Sequence, residues 1–78
     1  MHFRIYTKPG CPFCTLAKNL VDVKGHTYSE ENHDTPEKIM EFKAAGYKTF
    51  PQIFTGDRHI GGFDDLTVFY AGLETDDF

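Results

Sequence analysis

The chain has 78 residues, a formal net charge of −4, 40% hydrophobic residues, eight Phe, four Tyr and two Cys. A core this small does not divide, so one domain over residues 1–78 is expected, and two cysteines exclude a multi-bridge secreted scaffold. Basic residues are scattered singly from Arg4 to Arg58, which argues against a nucleic-acid or anionic-membrane surface.

Met1-His2-Phe3-Arg4-Ile5-Tyr6 has no long apolar run, so neither a signal peptide nor a membrane span is expected. Such a chain belongs in the reducing cytosol, and cytoplasmic localisation is the expectation. There a lone vicinal cysteine pair is more often catalytic or metal-binding than a structural staple.

In chain order, residues 2–6 are rich in aromatic and branched side chains and read as a strand stopping at Thr7-Lys8-Pro9-Gly10. From Phe13 the period changes: Leu16, Ala17, Leu20 and Val21 fall on one helical face, and Lys24-Gly25 supplies a stop. Thr27-Tyr28-Ser29 reads as a second strand, and a helix crossing between neighbouring strands makes them parallel. Asp34 or Thr35 caps a second helix, with Pro36 at its first position and Glu37 in its first turn. Ile39 and Phe42, with Met40 as a further candidate, form its buried side, and Gly46 ends it.

Gln52-Ile53-Phe54-Thr55 and Arg58-His59-Ile60, joined by Gly56-Asp57, read as a hairpin whose Gly-first turn suits type II′ geometry. Gly61-Gly62 ends that strand. Asp64 or Asp65 starts a third helix carrying Leu66, Phe69, Tyr70 and Leu73, and the polar tail 74–78 is expected to fray. The order βαβαββα implies an α/β fold: a four-stranded mixed sheet flanked by three helices.

Cys11 falls where the first loop meets the first helix, beside Pro12 at a helix-starting position. Backbone N–H groups there lack internal partners, and the helix dipole places partial positive charge on them. A sulfur so placed is stabilised as thiolate, with pKa values of roughly 3.5–7.5 in such settings rather than about 8.5. Lys8, three residues earlier, adds a cation. Cys14, one turn along, points back and can resolve a mixed disulfide, so Cys11 is the expected nucleophile.

Three other readings compete. A structural disulfide closing so short a loop is worth only about 2 kcal/mol, in the wrong compartment. A zinc site from Cys11, Cys14, His26 and His33 has nearly the right spacing, with eleven residues between Cys14 and His26 and six between the histidines. Such a finger wants its cysteines on a hairpin and its histidines on a helix, the reverse of the elements expected here. The third is a pair of inert buried thiols. All four histidines read as surface or strand residues without a catalytic role.

Thr7-Lys8-Pro9-Gly10-Cys11-Pro12-Phe13-Cys14, Lys48-Thr49-Phe50-Pro51 and His59-Ile60-Gly61-Gly62-Phe63-Asp64-Asp65-Leu66 resemble, in order, the three signature segments of dithiol glutaredoxins. The resemblance covers nearly the whole chain. It implies a thioredoxin-like fold in which Pro51 is cis and faces the cysteines, rather than an ordinary strand-start proline. It also implies glutathione as reducing co-substrate. Lys8 would pair with the glycine carboxylate, and the backbone of Phe50 would bond the cysteinyl part like a strand. Phe63 and Asp64 at the start of the third helix would hold the γ-glutamyl end. That end suits the chemistry, because helix N-terminal amides bind a carboxylate while Asp pairs with an ammonium.

Phe13 and Thr49 would line the groove, and Gly62 would permit close backbone approach or a positive φ. The plainer readings are a solvated Lys8, a core Phe13, and Asp64 as a helix cap, with Asp65 more clearly a cap. Phe50 stands where the family usually has Val, and Phe63 where it often has Cys or another small residue. Both would border the groove and add apolar surface.

The resemblance implies reduction of protein disulfides and glutathione mixed disulfides by a Cys11 thiolate, resolved by Cys14 or by glutathione, in a monomer without a metal. Ribonucleotide reductase is a common partner of the family. One alternative is a glutaredoxin-like redoxin reduced by thioredoxin reductase. Another is a [2Fe–2S] carrier bridged through Cys11 and glutathione, disfavoured by Pro12 where cluster-binding relatives have Gly or Ser. The last is a protein-binding module without redox chemistry.

Overall fold

Along the first strand Phe3, Ile5 and Thr7 alternate with Arg4 and Tyr6, so the two sets point to opposite faces of whatever sheet they join. The computed structural model describes residues 1–74. It comprises β1 (His2–Thr7), α1 (Pro12–Val23), β2 (Thr27–Asn32), α2 (Pro36–Ala44), β3 (Gln52–Thr55), β4 (Arg58–Gly61) and α3 (Phe63–Glu74). The expected fraying of the tail concerns residues that, from 75 onward, lie outside the described ones.

The strands form one mixed sheet in the order β2-β1-β3-β4. β1 and β2 run parallel, from His2 beside Thr27 to Thr7 beside Asn32, as a crossover through α1 requires. β3 runs antiparallel to β1, with Ile53 opposite Ile5, and β4 returns antiparallel to β3. Their turn has Gly56 at φ +55° while among the described residues no non-glycine takes a positive φ, which fits the type II′ expectation.

One irregularity was not anticipated. Phe54 pairs with His59 but Ile53 with Gly61, so Ile60 is an extra residue on β4. This bulge re-aims the end of the strand.

The two faces of the sheet are packed differently. Phe3, Ile5 and Ile53 are fully buried against Ala17 and Val21 of α1 and Leu66 of α3, with Tyr70 alongside. The opposite face is aromatic. The Tyr6 ring meets those of His33, Phe42, Tyr47 and Phe54 at centroid distances of 5.2, 6.3, 6.1 and 5.0 Å. Through Phe42, this cluster holds α2.

Helix starts follow the expected chemistry with refinements. Thr35, not Asp34, caps α2, its hydroxyl accepting from the Lys38 amide at 3.3 Å, while Asp34 pairs with the Lys38 ammonium at 3.4 Å. α3 begins at Phe63, ahead of both aspartates.

Some burial expectations fail for geometric reasons. Met40 is 69% exposed, because it lies two residues, or 200°, around the helix from the buried Phe42. Leu16 is 45% exposed, because the inner seam of α1 is centred on Cys14, Ala17 and Val21. Leu73 is 39% exposed near the end of α3. His33, expected as a surface or strand residue, follows β2 and is buried: its ring donates to the Glu31 and Thr7 carbonyls and fills space between Tyr6 and Phe42.

Candidate active site

Cys11 is the cap residue of α1. Its backbone is extended (φ −108°, ψ 100°), Pro12 takes the first helical position, and the Cys14 amide donates to the Cys11 sulfur at 3.2 Å. The amide-rich start of the helix is thus aimed at this sulfur. Cys14 is 2% exposed whereas Cys11 is half-buried. The two are joined as a disulfide, with Cα atoms 5.2 Å apart. An incoming sulfur therefore reaches Cys11 first, with Cys14 beneath it.

A carboxylate network anchors the strand end that leads into this loop. The buried Thr7 hydroxyl donates to Glu30 Oε2 at 2.6 Å, and Lys18 Nζ of α1 lies 3.2 Å from the same oxygen. The Thr7 hydroxyl foremost, together with the Lys18 ammonium, holds the Glu30 carboxyl below its ordinary range against the opposing effect of burial. β1, β2 and α1 are thereby tied at one point.

The Phe50–Pro51 bond is cis, as the resemblance implied. A cleft of 440 Å³ runs beside it and gathers seven of the ten expected site residues: Phe13, Thr49, Phe50, Pro51, Gly62, Phe63 and Asp64. Phe13 is 54% exposed rather than core, and its ring sits 6.0 Å from that of Phe63, so the two form one apolar bank. Phe50 borders the cleft, but its ring does not simply extend the bank as expected. It lies against Phe42 with centroids 3.9 Å apart.

Lys8 stands at a neighbouring cleft that shares Thr49 and Phe50 with the first, its Nζ 5.6 Å from the centre of the Phe50 ring.

The start of α3 resolves the roles of its acids. The Gly62 carbonyl accepts from the Leu66 amide at 3.0 Å, which makes Gly62 the cap position, and Asp65 reaches back to accept from the Gly62 amide at 3.0 Å. Asp65 is therefore the capping acid. Asp64 is left exposed at the cleft. The positive φ contemplated for Gly62 belongs instead to Gly61, at +120°, where a side chain would also run into the Asp65 carboxylate. Gly62 has Pro51 as its neighbour: a Cβ there would sit 3.7 Å from the Pro51 carbonyl oxygen.

Two residues given no site role in the sequence, Gln52 and His59, complete the cleft. The buried Gln52 donates through its amide to the Thr49 carbonyl at 2.9 Å, and its oxygen pairs with His59 Nε2 at 2.6 Å. They support the Thr49–Pro51 loop from behind. A glutamine opening a strand whose next two residues are apolar is the one signal that could have found them.

The rival zinc quartet does not assemble. His26 bonds the Tyr70 hydroxyl at 2.8 Å on the face of the sheet that carries Phe3, whereas His33 lies on the face that carries Tyr6. Among the described residues, no three His, Cys, Asp or Glu side chains gather as a metal-holding group, and no helix is long and apolar enough to cross a membrane.

A family model described as Glutaredoxin matches residues 4–60. The chain is 46% identical over 68 residues to a hybrid peroxiredoxin of Haemophilus influenzae, covering 86% of this chain and 28% of that one, so it spans little more than a quarter of that relative. It is 42% identical over 65 residues to a glutaredoxin of Neisseria meningitidis, covering 80% and 76% of the two chains. Among solved structures, glutaredoxin 1 of Francisella tularensis complexed with cacodylate matches with a TM-score of 0.83 at 30% identity, over 96% of this chain and 98% of that one. A buckwheat glutaredoxin–glutathione complex matches with a TM-score of 0.77 at 25% identity, over 92% and 70%.

Proposed function

The chain belongs to the glutaredoxin family, whose members are thiol–disulfide oxidoreductases, and on that premise we propose that it reduces protein disulfides and glutathione mixed disulfides with electrons from glutathione. One observation carries the reading: the more accessible sulfur of the pair, Cys11, receives the Cys14 amide at the start of α1.

In the reduced enzyme, that position holds Cys11 as thiolate. The thiolate attacks one sulfur of the substrate disulfide, so the Cys11–substrate bond forms, the substrate S–S bond breaks, and the second sulfur leaves as thiolate. With a protein disulfide, Cys14 attacks Cys11, releases the reduced substrate and leaves the intramolecular disulfide. Two glutathione molecules then restore the dithiol and depart as one oxidised glutathione. With a glutathione mixed disulfide, Cys11 takes up the glutathionyl group and a second glutathione removes it.

Glutathione is assigned to the cleft beside Pro51. Lys8 meets its glycine carboxylate, the Phe50 backbone bonds its cysteinyl part, and Gly62, Phe63 and Asp64 take the γ-glutamyl end. The exposed Asp64 carboxylate at the cleft supports that polarity, as a partner for the γ-glutamyl ammonium. Phe13 and Thr49 flank it. The site of action is the cytoplasm, and the working form is a monomer. Ribonucleotide reductase and, given the hybrid peroxiredoxin among the relatives, an oxidised peroxiredoxin are substrates to include in tests.

The test is a coupled assay of disulfide reduction with glutathione plus glutathione reductase, run beside one with thioredoxin reductase, on wild type and Cys11→Ser. Turnover with glutathione that vanishes in Cys11→Ser supports the proposal. Turnover with thioredoxin reductase alone replaces it with the rival redoxin reading, and unchanged activity in Cys11→Ser ends it.

A further inference from the structure

The glutathione reading takes only Lys8, Thr49 and Phe50 from the second cleft. That cleft, of 420 Å³ between α2 and the loop before Pro51, is lined by Lys8, Ile39, Lys43, Lys48, Thr49 and Phe50. Three of the eight Lys and Arg of a chain with net charge −4 meet there, and no carboxylate is among the lining residues.

Lys18 and Lys38 are each paired with an acid, yet among the described residues neither Lys43 nor Lys48 is ion-paired. Lysines dispersed over a surface mean little, since each is cheaply solvated. These converge on a floor that is partly apolar: half-buried Ile39 and the Phe50 ring fixed against Phe42.

The active face is also polar along its length. The two clefts share Thr49 and Phe50, with Lys8, Lys43 and Lys48 on one side of that divide and Asp64 and Asp65 on the other. Glutathione has a single glycine carboxylate to place on the cationic side, and Lys8 suffices for it. Lys43 and Lys48 then remain for a longer chain.

We propose that the cleft lined by Lys8, Lys43 and Lys48 is a docking site for an acidic segment, bearing an apolar side chain, that flanks the disulfide of a substrate protein. The inference rests on the oxidoreductase reading above. Opposite charge steers the encounter and fixes which end of the substrate segment lies toward α2, while like charge disfavours basic segments. The apolar side chain rests on Ile39 and Phe50.

The test uses three synthetic peptides that share one disulfide and one flanking Leu but carry Asp, Ser or Lys beside it. Reduction is followed with glutathione and glutathione reductase at low and high ionic strength. Wild type is expected to favour the acidic over the neutral peptide in kcat/KM by about three- to tenfold at low salt, as a few exposed charge pairs allow, and to lose the preference at high salt. In Lys43→Gln/Lys48→Gln, exposed changes that leave the core intact, the ratio should fall to within about twofold of unity.

Equal rates for acidic and neutral peptides in wild type overturn the proposal and leave the oxidoreductase reading standing. A parallel loss on the glutathione–cysteine mixed disulfide also overturns it, assigning both lysines to glutathione instead. A chain inert toward every disulfide overturns both readings together.

Discussion

The Phe50 ring lies flat on that of Phe42, with centroids 3.9 Å and planes 11° apart. Phe42 belongs to α2 and Phe50 precedes the cis Pro51, so the stack couples a helix on the aromatic side of the sheet to the loop that borders both clefts. His33 supports it from the side, 5.4 Å from Phe50.

Phe50→Val, which installs the family's usual residue, removes the stack while keeping a branched side chain at the loop. An aromatic pair is worth about 0.5–1.5 kcal/mol beyond its buried area, and a loss of about 1 kcal/mol lowers Tm by roughly 4–8 °C in a domain of this size. Lys8 loses its ring partner as well, so KM for glutathione mixed disulfides should rise more than kcat falls. A melting curve identical to wild type would show that the stack contributes nothing.

The cysteines should separate by substrate. Cys14→Ser keeps the outer sulfur and its amide donor, so turnover of glutathione mixed disulfides persists while reduction of protein disulfides drops at least tenfold. Both follow from the coupled assay. Equal loss on the two substrates would remove Cys14 from its resolving role.

Gly61 and Asp65 are coupled. A side chain at Gly61 meets both an unfavourable φ of +120° and the carboxylate that caps α3. Gly61→Ala should cost about 1–3 kcal/mol, and Asp65→Ala about 1 kcal/mol through the lost cap. The double variant should lose less than the sum, because the collision is gone. Strict additivity in denaturant titrations would contradict the crowding.

Acid stability should depend on Glu30. Its folded carboxyl titrates below the ordinary range, chiefly through the Thr7 hydroxyl, so the ionised network stabilises the fold above the unfolded pKa. That contribution fades as pH falls through the folded one. Wild type should therefore lose Tm steadily from about pH 5 downward, and Glu30→Gln should show a flatter acid limb with a lower neutral plateau. Thermal melts across that range decide it, and parallel limbs would mean that the network does not matter.

Most of the scaffold was legible because it rests on local chemistry. Pro12 and Pro36 mark helix starts, Gly56-Asp57 a reverse turn, and Phe3 with Ile5 a strand with one apolar face. The clustering of Phe13, Thr49, Pro51, Gly62 and Asp64 came from the resemblance, and seven expected residues do share a cleft.

What escaped involves relationships across distance. Nothing near Ile60 announces a bulge, because it depends on register against β3. The burial of His33 escaped because Tyr6, Phe42 and Phe50, drawn from three other parts of the chain, enclose it. α3 starts one or two residues ahead of the expected Asp64 or Asp65, because Gly62 rather than an aspartate takes the cap position, while Asp65 does cap the helix from within its first turn.

The outer borders of the sheet carry a consequence for behaviour at high concentration. β2 presents Ser29, Glu30, Glu31 and Asn32 along one margin, and the four-residue β4 is broken by its extra Ile60 along the other. Neither margin offers a long, flat, uncharged ladder for a second molecule to continue. At high concentration the chain is thereby guarded against knitting itself into a growing fibril.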